Sequence, residues 1–139
     1  MNWLKKLLGI SDPETGPIST ATLTKEAGNM YALRIGGKLS KSTVDHIQAV
    51  AAKDIERGAK DLKILVVLTD FLGWKGGADW GDINFFIQYE SNISKIAVVG
   101  EARWEVETLA FLGAGRRTGQ VKYFKTGQDV QARAWLVEA

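Results

Sequence analysis

Residues 64–68, ILVVL, form an unbroken apolar run with three β-branched members, lying between Lys63 and Thr69. A strand with one wet face alternates apolar and polar residues, so this run predicts a strand covered on both faces. Covering both faces takes helices above and below a largely parallel sheet, and the rest of the chain has to supply them.

The flanking pattern does so. ISTATLTKEA alternates loosely and, with the turn AGN and the partner MYALRI, reads as an opening β-hairpin. Residues 40–57 carry Val44, Ile47, Ala51 and Ile55 at helical spacing, with Ser42 and Asp45 in Ser-x-x-Asp capping spacing and Gly58 as the stop. After the strand LKILVVLT come a helix over 78–90, the strand KIAVVG, a helix over 103–112, the strand VKYF and a last helix, DVQARAWLVE. The expected fold class is α/β: an N-terminal β-hairpin followed by alternating helices and strands, with a mostly parallel five-stranded sheet and right-handed crossovers.

The start of the chain is different. MNWLKKLLGI sets Trp3, Leu4, Leu7 and Leu8 on one helical face and Lys5 and Lys6 opposite, a short basic amphipathic helix. It lacks the small-residue cleavage site of a signal peptide. GISDPETGP follows and holds both prolines of the chain, so residues 1–17 read as helix plus linker and 18–139 as the domain. So short a helix is marginal alone in water and orders when its apolar face meets a membrane surface, a partner or its own domain.

At 139 residues, with 45% hydrophobic and 24% charged residues, the chain has enough apolar content for one packed core. There is no cysteine, which excludes disulfides and thiolate chemistry and fits a reducing cytoplasm. The single histidine, His46, leaves no His-based metal cluster and reads as a solvent-facing helix residue. A net charge of +2 gives no ground for nucleic acid as a partner, so electrostatics must be argued from where charges sit.

In parallel α/β sheets, ligands usually bind at the edge where strands end. The strand-exit loops are GGKLS (36–40), DFLGWKGGAD (70–79), GEARW (100–104) and KTGQD (125–129), which gather Asp70, Trp74, Trp80, Trp104 and several glycines. That composition suits an apolar cleft with a few polar anchors, and ordinary core packing is an equal reading of Trp74, Trp80 and Trp104. The opposite edge gathers Lys60, Lys63, Lys95, Arg116 and Arg117 and is expected to be positive, fitting phosphate, anionic lipid or an acidic partner. GAGRRTG is not a phosphate loop of the usual kind, because it leaves a helix and enters a strand; Arg116 and Arg117 either contact an anion as side chains or form a solvated basic turn.

Helix 78–90 is apolar over more of its surface than one sheet contact can bury. Trp80, Ile83 and Ile87 share a face, and Phe85, Phe86 and Tyr89 extend it, so Phe85 and Tyr89 are expected to line a cavity, meet a second subunit or pack beneath the N-terminal segment. Asp70, Asp79 and Asp82 are most simply turn and helix N-terminal charges, since no histidine or second carboxylate cluster completes a catalytic set. No catalytic residue, metal site or cofactor is expected.

Five stretches, GGKLS, ILVVLTDFLGW, KIAVVGEARWE, VKYF and ARAWL, resemble the SpoIIAA-like family in their order and spacing, over about residues 18–137. The resemblance implies a STAS-like fold, similar also to CRAL-TRIO lipid-binding domains; the family has no established enzymatic activity, and small-ligand or lipid binding and membrane association have been proposed for it. The family's loop after the central strand matches Asp70 to Trp74, and its tryptophan after the next strand matches Trp104. The phosphorylatable serine of anti-sigma antagonists has no counterpart here, because Phe71 to Tyr89 contains no Ser or Thr.

These readings combine into an expectation. The chain is a cytoplasmic, non-enzymatic module that binds a small apolar or lipid-like ligand through Asp70, Phe71, Trp74, Trp80, Phe85, Tyr89 and Trp104. It associates peripherally with the inner face of a membrane through Trp3, Leu4, Lys5, Lys6, Leu7 and Leu8. The alternative is a regulatory protein-interaction module, homodimeric through Phe85, Tyr89 and the N-terminal helix, without a phospho-switch.

Overall fold

A computed structural model describes residues 20–75, 88–112 and 119–138 of the chain. The ILVVL run lies in the central strand of a five-stranded sheet. Strand β1 (Thr20–Glu26) pairs antiparallel with β2 (Met30–Leu39), and β3 (Leu62–Trp74), β4 (Ile93–Gly100) and β5 (Gln120–Lys125) each add in parallel to the strand before. The order across the sheet is therefore the order along the chain. Helix α1 (Lys41–Glu56) joins β2 to β3, α2 (Glu105–Phe111) joins β4 to β5, and α3 (Asp129–Val137) ends the domain. Single 3₁₀ turns at Glu90–Asn92 and Ala102–Trp104 precede β4 and α2.

The two-sided burial expected for the central strand is present. Val66 and Leu68 belong to a core with Tyr31, Leu33, Ile35, Ile96 and Val98 on the face carrying α1 and α2. Leu65 and Val67 point the other way, with Met30, Ala97, Val99 and Phe124, onto Ala132 and Leu136 of α3. Ala132 and Ala97 are both fully buried, and two such small residues let α3 lie close on β3 and β4. On the opposite face bulkier leucines and isoleucines hold α1 farther off the sheet.

Three local expectations are corrected. GGKLS and the first part of DFLGWKGGAD were expected as loops, yet Gly36–Leu39 continue β2 and Asp70–Trp74 continue β3. Register shifts around Gly37 absorb the irregularity, after which Gly37, Lys38 and Leu39 pair with Phe71, Gly73 and Trp74. A bulge keeps a ladder running where alternation in the sequence has failed. The N-cap of α1 is Ser40, not Ser42: its side chain accepts from the Thr43 backbone N–H at 3.3 Å. Asp45 instead forms an ion pair with Lys41 one turn back. At the other end Gly58 adopts φ +105°, and its N–H donates to the Ile55 carbonyl, the stop expected of it.

Distant parts of the chain are tied by polar contacts. Arg133 of α3 holds Glu26 at the end of β1 with two guanidinium bonds of 2.8 and 3.2 Å. The Tyr31 hydroxyl donates to Asp54 on α1, which Lys25 also approaches at 3.6 Å. His46 is exposed, as expected. The amphipathic N-terminal segment, most of helix 78–90 and the pair Arg116 and Arg117 lie outside the described residues.

Candidate functional site

The aromatic residues of the strand-exit edge come together because β3, still paired with β2, runs on past its last pairing with β4. Asp70 takes a left-handed conformation, φ 51°, which re-aims the strand beyond the bulge and turns the Phe71 side chain into the core. Two residues on, Gly73 (φ +97°) lets the backbone pass against the Trp104 indole, and Trp74 follows. The rings of Phe71, Trp74 and Trp104 then pack edge to face, with centroids 5.1, 5.2 and 6.1 Å apart. Trp104 Nε1 donates to the Phe71 carbonyl at 3.1 Å, closing the group. Arg103 lies over the outer side of the Trp104 ring at 4.8 Å and pairs with Glu101.

Behind this cluster lies a cavity of about 110 Å³ between α1, α2 and the sheet. Leu33, Val66 and Ile96 form its floor and Val44 and Ile47 its roof. Phe71 and Trp74 reach it from the exit end, and Thr108 and Phe111 of α2 close one side. On this face α1 stands farther from the sheet than α3 does on the other.

Two polar atoms in this wall lack partners. Trp74 Nε1 and Thr108 Oγ1 are both buried and find no hydrogen-bond partner among the described residues. Thr108 sits one turn after Trp104 and one turn before Phe111 on the same face of α2. The Trp74 ring approaches both of those neighbours, Trp104 at 6.1 Å and Phe111 at 6.3 Å, and both Trp74 and Thr108 belong to the cavity wall.

Of the residues expected to bind ligand, Phe71 and Trp74 line this cavity. Trp104 supports them from behind, while Asp70 is exposed and acts through its backbone. Tyr89 donates to Glu56 at 3.0 Å, tying the segment before β4 to the end of α1, and that bond raises its hydroxyl pKa. Trp80 and Phe85 lie outside the described residues. Reading the sequence by loops missed Thr108 and Phe111; the spacing 104, 108, 111 on one face of WEVETLAF was the available signal.

The edge expected to be positive is partly used internally. Lys95 Nζ donates to the Trp135 and Glu138 carbonyls at 2.8 and 2.9 Å and lies over the Trp135 ring, capping α3. Tyr123 donates its hydroxyl to the Glu101 carbonyl at 2.6 Å; burial, with Glu105 and Glu101 nearby, pushes its pKa up to about 12. Among the described residues no group of three or more His, Cys, Asp or Glu is placed to hold a metal ion. No helix of the described residues is long and apolar enough to cross a membrane.

Comparison with known proteins gives a consistent result. The family model described as SpoIIAA-like matches residues 30–137, from the start of β2 to the end of α3. The crystal structure of an uncharacterised protein with a SpoIIAA-like fold from Shewanella loihica PV-4 superposes with a TM-score of 0.65 at 15% identity, covering 90% of this chain and 98% of that one. At that identity the likeness shows the fold alone. No curated protein matches the chain.

Proposed function

The chain belongs to the SpoIIAA-like family, a family of regulatory, non-catalytic domains, and we propose that it acts by binding a partner protein at the strand-exit edge of its sheet. The supporting observation is where its exposed apolar side chains sit. Of the five exposed large apolar side chains among the described residues, Leu72 at the end of β3, Val106 at the start of α2 and Val130 at the start of α3, 44, 80 and 78% exposed, lie at that edge, whereas Val50 is on α1 and Val137 ends α3. Large apolar groups gathered on one edge favour an interaction surface over a solvated one. With no Ser or Thr from Phe71 to Tyr89, a phosphoserine switch there is not part of this reading.

Photo-crosslinking residues placed at 106 and 130 in the native host test it. A discrete adduct from both positions, and none from Val50 on α1, is the expected result; an adduct of twice the chain mass identifies a homodimer. No adduct from either edge position would sink the proposal.

The cavity favours a second reading, in which a small apolar or lipid-like ligand occupies the space behind Trp74. Gentle purification followed by native mass spectrometry tests it, and a ligand-free mass with no saturable uptake from a panel of apolar compounds counts against it. Peripheral attachment to a membrane is supported by the apolar stripe and lysines of residues 3–8. Flotation with anionic vesicles should be abolished by deleting residues 1–12, and unchanged flotation removes that role.

A further inference from the structure

We infer that the N-terminal segment, through Trp3, Leu4, Leu7 and Leu8, docks on its own domain, over the half of a sheet face that α3 leaves bare. The inference stands apart from the partner and ligand readings above, and it gives the apolar stripe proposed for a membrane a second seat.

The first observation is the unequal covering of the sheet. Helices α1 and α2 share one face, and among the described residues α3 is the one helix on the other, packed on β3, β4 and β5. Toward β1 and β2 it reaches only their far end, where Arg133 bonds Glu26 and approaches Met30. Along the rest of that half Thr20, Thr22 and Thr24 of β1 are exposed, standing opposite Gly36, Arg34 and Ala32 of β2.

The second is what this bare half is made of. β1 is an edge strand, and such edges are kept from pairing by charged side chains, lysine above all, or by a covering helix or loop. Of the six residues just named only Arg34 is charged, and the one lysine of β1, Lys25, points to the other face toward Asp54. Threonine methyl groups, Ala32 and the stem of Arg34 therefore make up the surface. The flank of α3 adds to it: Val137, one turn after Arg133 on the same side, is 65% exposed.

The third is where the segment joins. β1 runs antiparallel to β2, so Thr20, opposite Gly36, brings the chain onto the strand-exit end of this same half. Residues 9–19 stretch to about 36 Å, and β1, at seven residues, is about 23 Å long. Residues 3–8 therefore reach any point along it. Charge agrees: the linker carries Asp12 and Glu14, and among the described residues no carboxylate pairs with Arg34. With the apolar stripe turned to the sheet, Lys5 and Lys6 stay in water, and a helix this short gains the surface it needs in order to form.

The chain has no cysteine, so a nitroxide can be attached at one chosen position of the full chain. Thr22→Cys places it on the bare half and Val50→Cys on the exposed side of α1, across the sheet. With no vesicles present, amide signals of residues 3–8 are expected to lose most of their intensity with the nitroxide at 22 and to keep it with the nitroxide at 50. Adding Leu7→Asp and Leu8→Asp to the Thr22→Cys chain, changes that lie before β1, should restore those signals. Full intensity with the nitroxide at 22, equal loss from both positions, or loss that survives the double substitution overturns the inference. Mixing isotope-labelled chain with nitroxide-bearing, isotope-free chain identifies the occupant: a loss in the mixture as large as in the single chain means that a second copy supplies the segment, which also overturns it. None of these outcomes bears on flotation, so the membrane reading stands or falls separately.

Discussion

Gly73 lies flat against the indole of Trp104, so that a Cβ built on it would stand 3.0 Å from Cη2 and 3.2 Å from Cζ3 of that ring. The same indole donates from Nε1 to the carbonyl of Phe71. One side chain from beyond β4 therefore fixes both the position and the direction of the last turn of β3.

Gly73→Ala is expected to destabilise the fold by about 2–3 kcal/mol, combining a left-handed backbone with a clash against a packed ring. Gly58 has a similar positive φ and nothing within 4 Å of its built Cβ, so Gly58→Ala should lose only about 1 kcal/mol. Urea unfolding of the two variants separates the backbone cost from the ring contact. Equal losses would mean that the indole gives way easily.

Thr108→Val should raise stability by about 1 kcal/mol, because a buried hydroxyl without a partner is replaced by a methyl group of the same shape. A thermal melt of the ligand-free chain reads this directly. A lowered melting temperature would show that the hydroxyl is satisfied in solution.

Lys95→Met keeps the aliphatic stem and removes both bonds to the carbonyls of Trp135 and Glu138. The expected loss is about 1–2 kcal/mol, since charge-assisted bonds to the end of a helix are lost together. Amide exchange should quicken along Asp129–Val137 more than along α1. Uniform quickening would point to global unfolding in place of a lost cap.

Stability should fall at both ends of the pH scale. Asp54 is held below the usual carboxylate range chiefly by the Tyr31 hydroxyl, then by Lys25 and Arg57, and Glu26 by its bond from Arg133. Their folded pKa values lie below the unfolded ones, so their contribution is complete above the ordinary carboxylate range and is lost as pH falls through it. For the tyrosines the sign reverses. Tyr31 and Tyr123 are raised above the ordinary 10.0 chiefly by burial, Tyr123 to about 12, so their share is complete below 10 and declines as pH rises toward 12. Urea midpoints across the pH range check this, and Asp54→Asn should flatten the acid side and, by removing the charge that helps raise Tyr31, lessen the alkaline fall as well.

The strand and helix order was legible because it depends on periodicity. An apolar run such as ILVVL tolerates only a doubly covered strand, and the structure places Leu65 and Val66 on opposite cores accordingly. The ends of β2 and β3 were not legible. Glycines and aspartates that usually mark loops mark bulges here, and whether a ladder continues past a bulge is decided by the neighbouring strand. The site was half legible. Phe71 and Trp74 stand out as aromatic residues where a strand ends, whereas Thr108 matters only through an unmet hydrogen bond, which depends on what the fold places around it.

Strand order that follows chain order also bears on how the molecule is made. As the chain emerges from the ribosome, each new strand finds its pairing edge already synthesised, and none has to be inserted between two finished neighbours. Loops closed in this sequence stay short, which keeps the search for partners local. Until β4 arrives the outer edge of β3, with ILVVL at its centre, is left open, so the interval between those two strands is when the nascent domain is most exposed to mispairing.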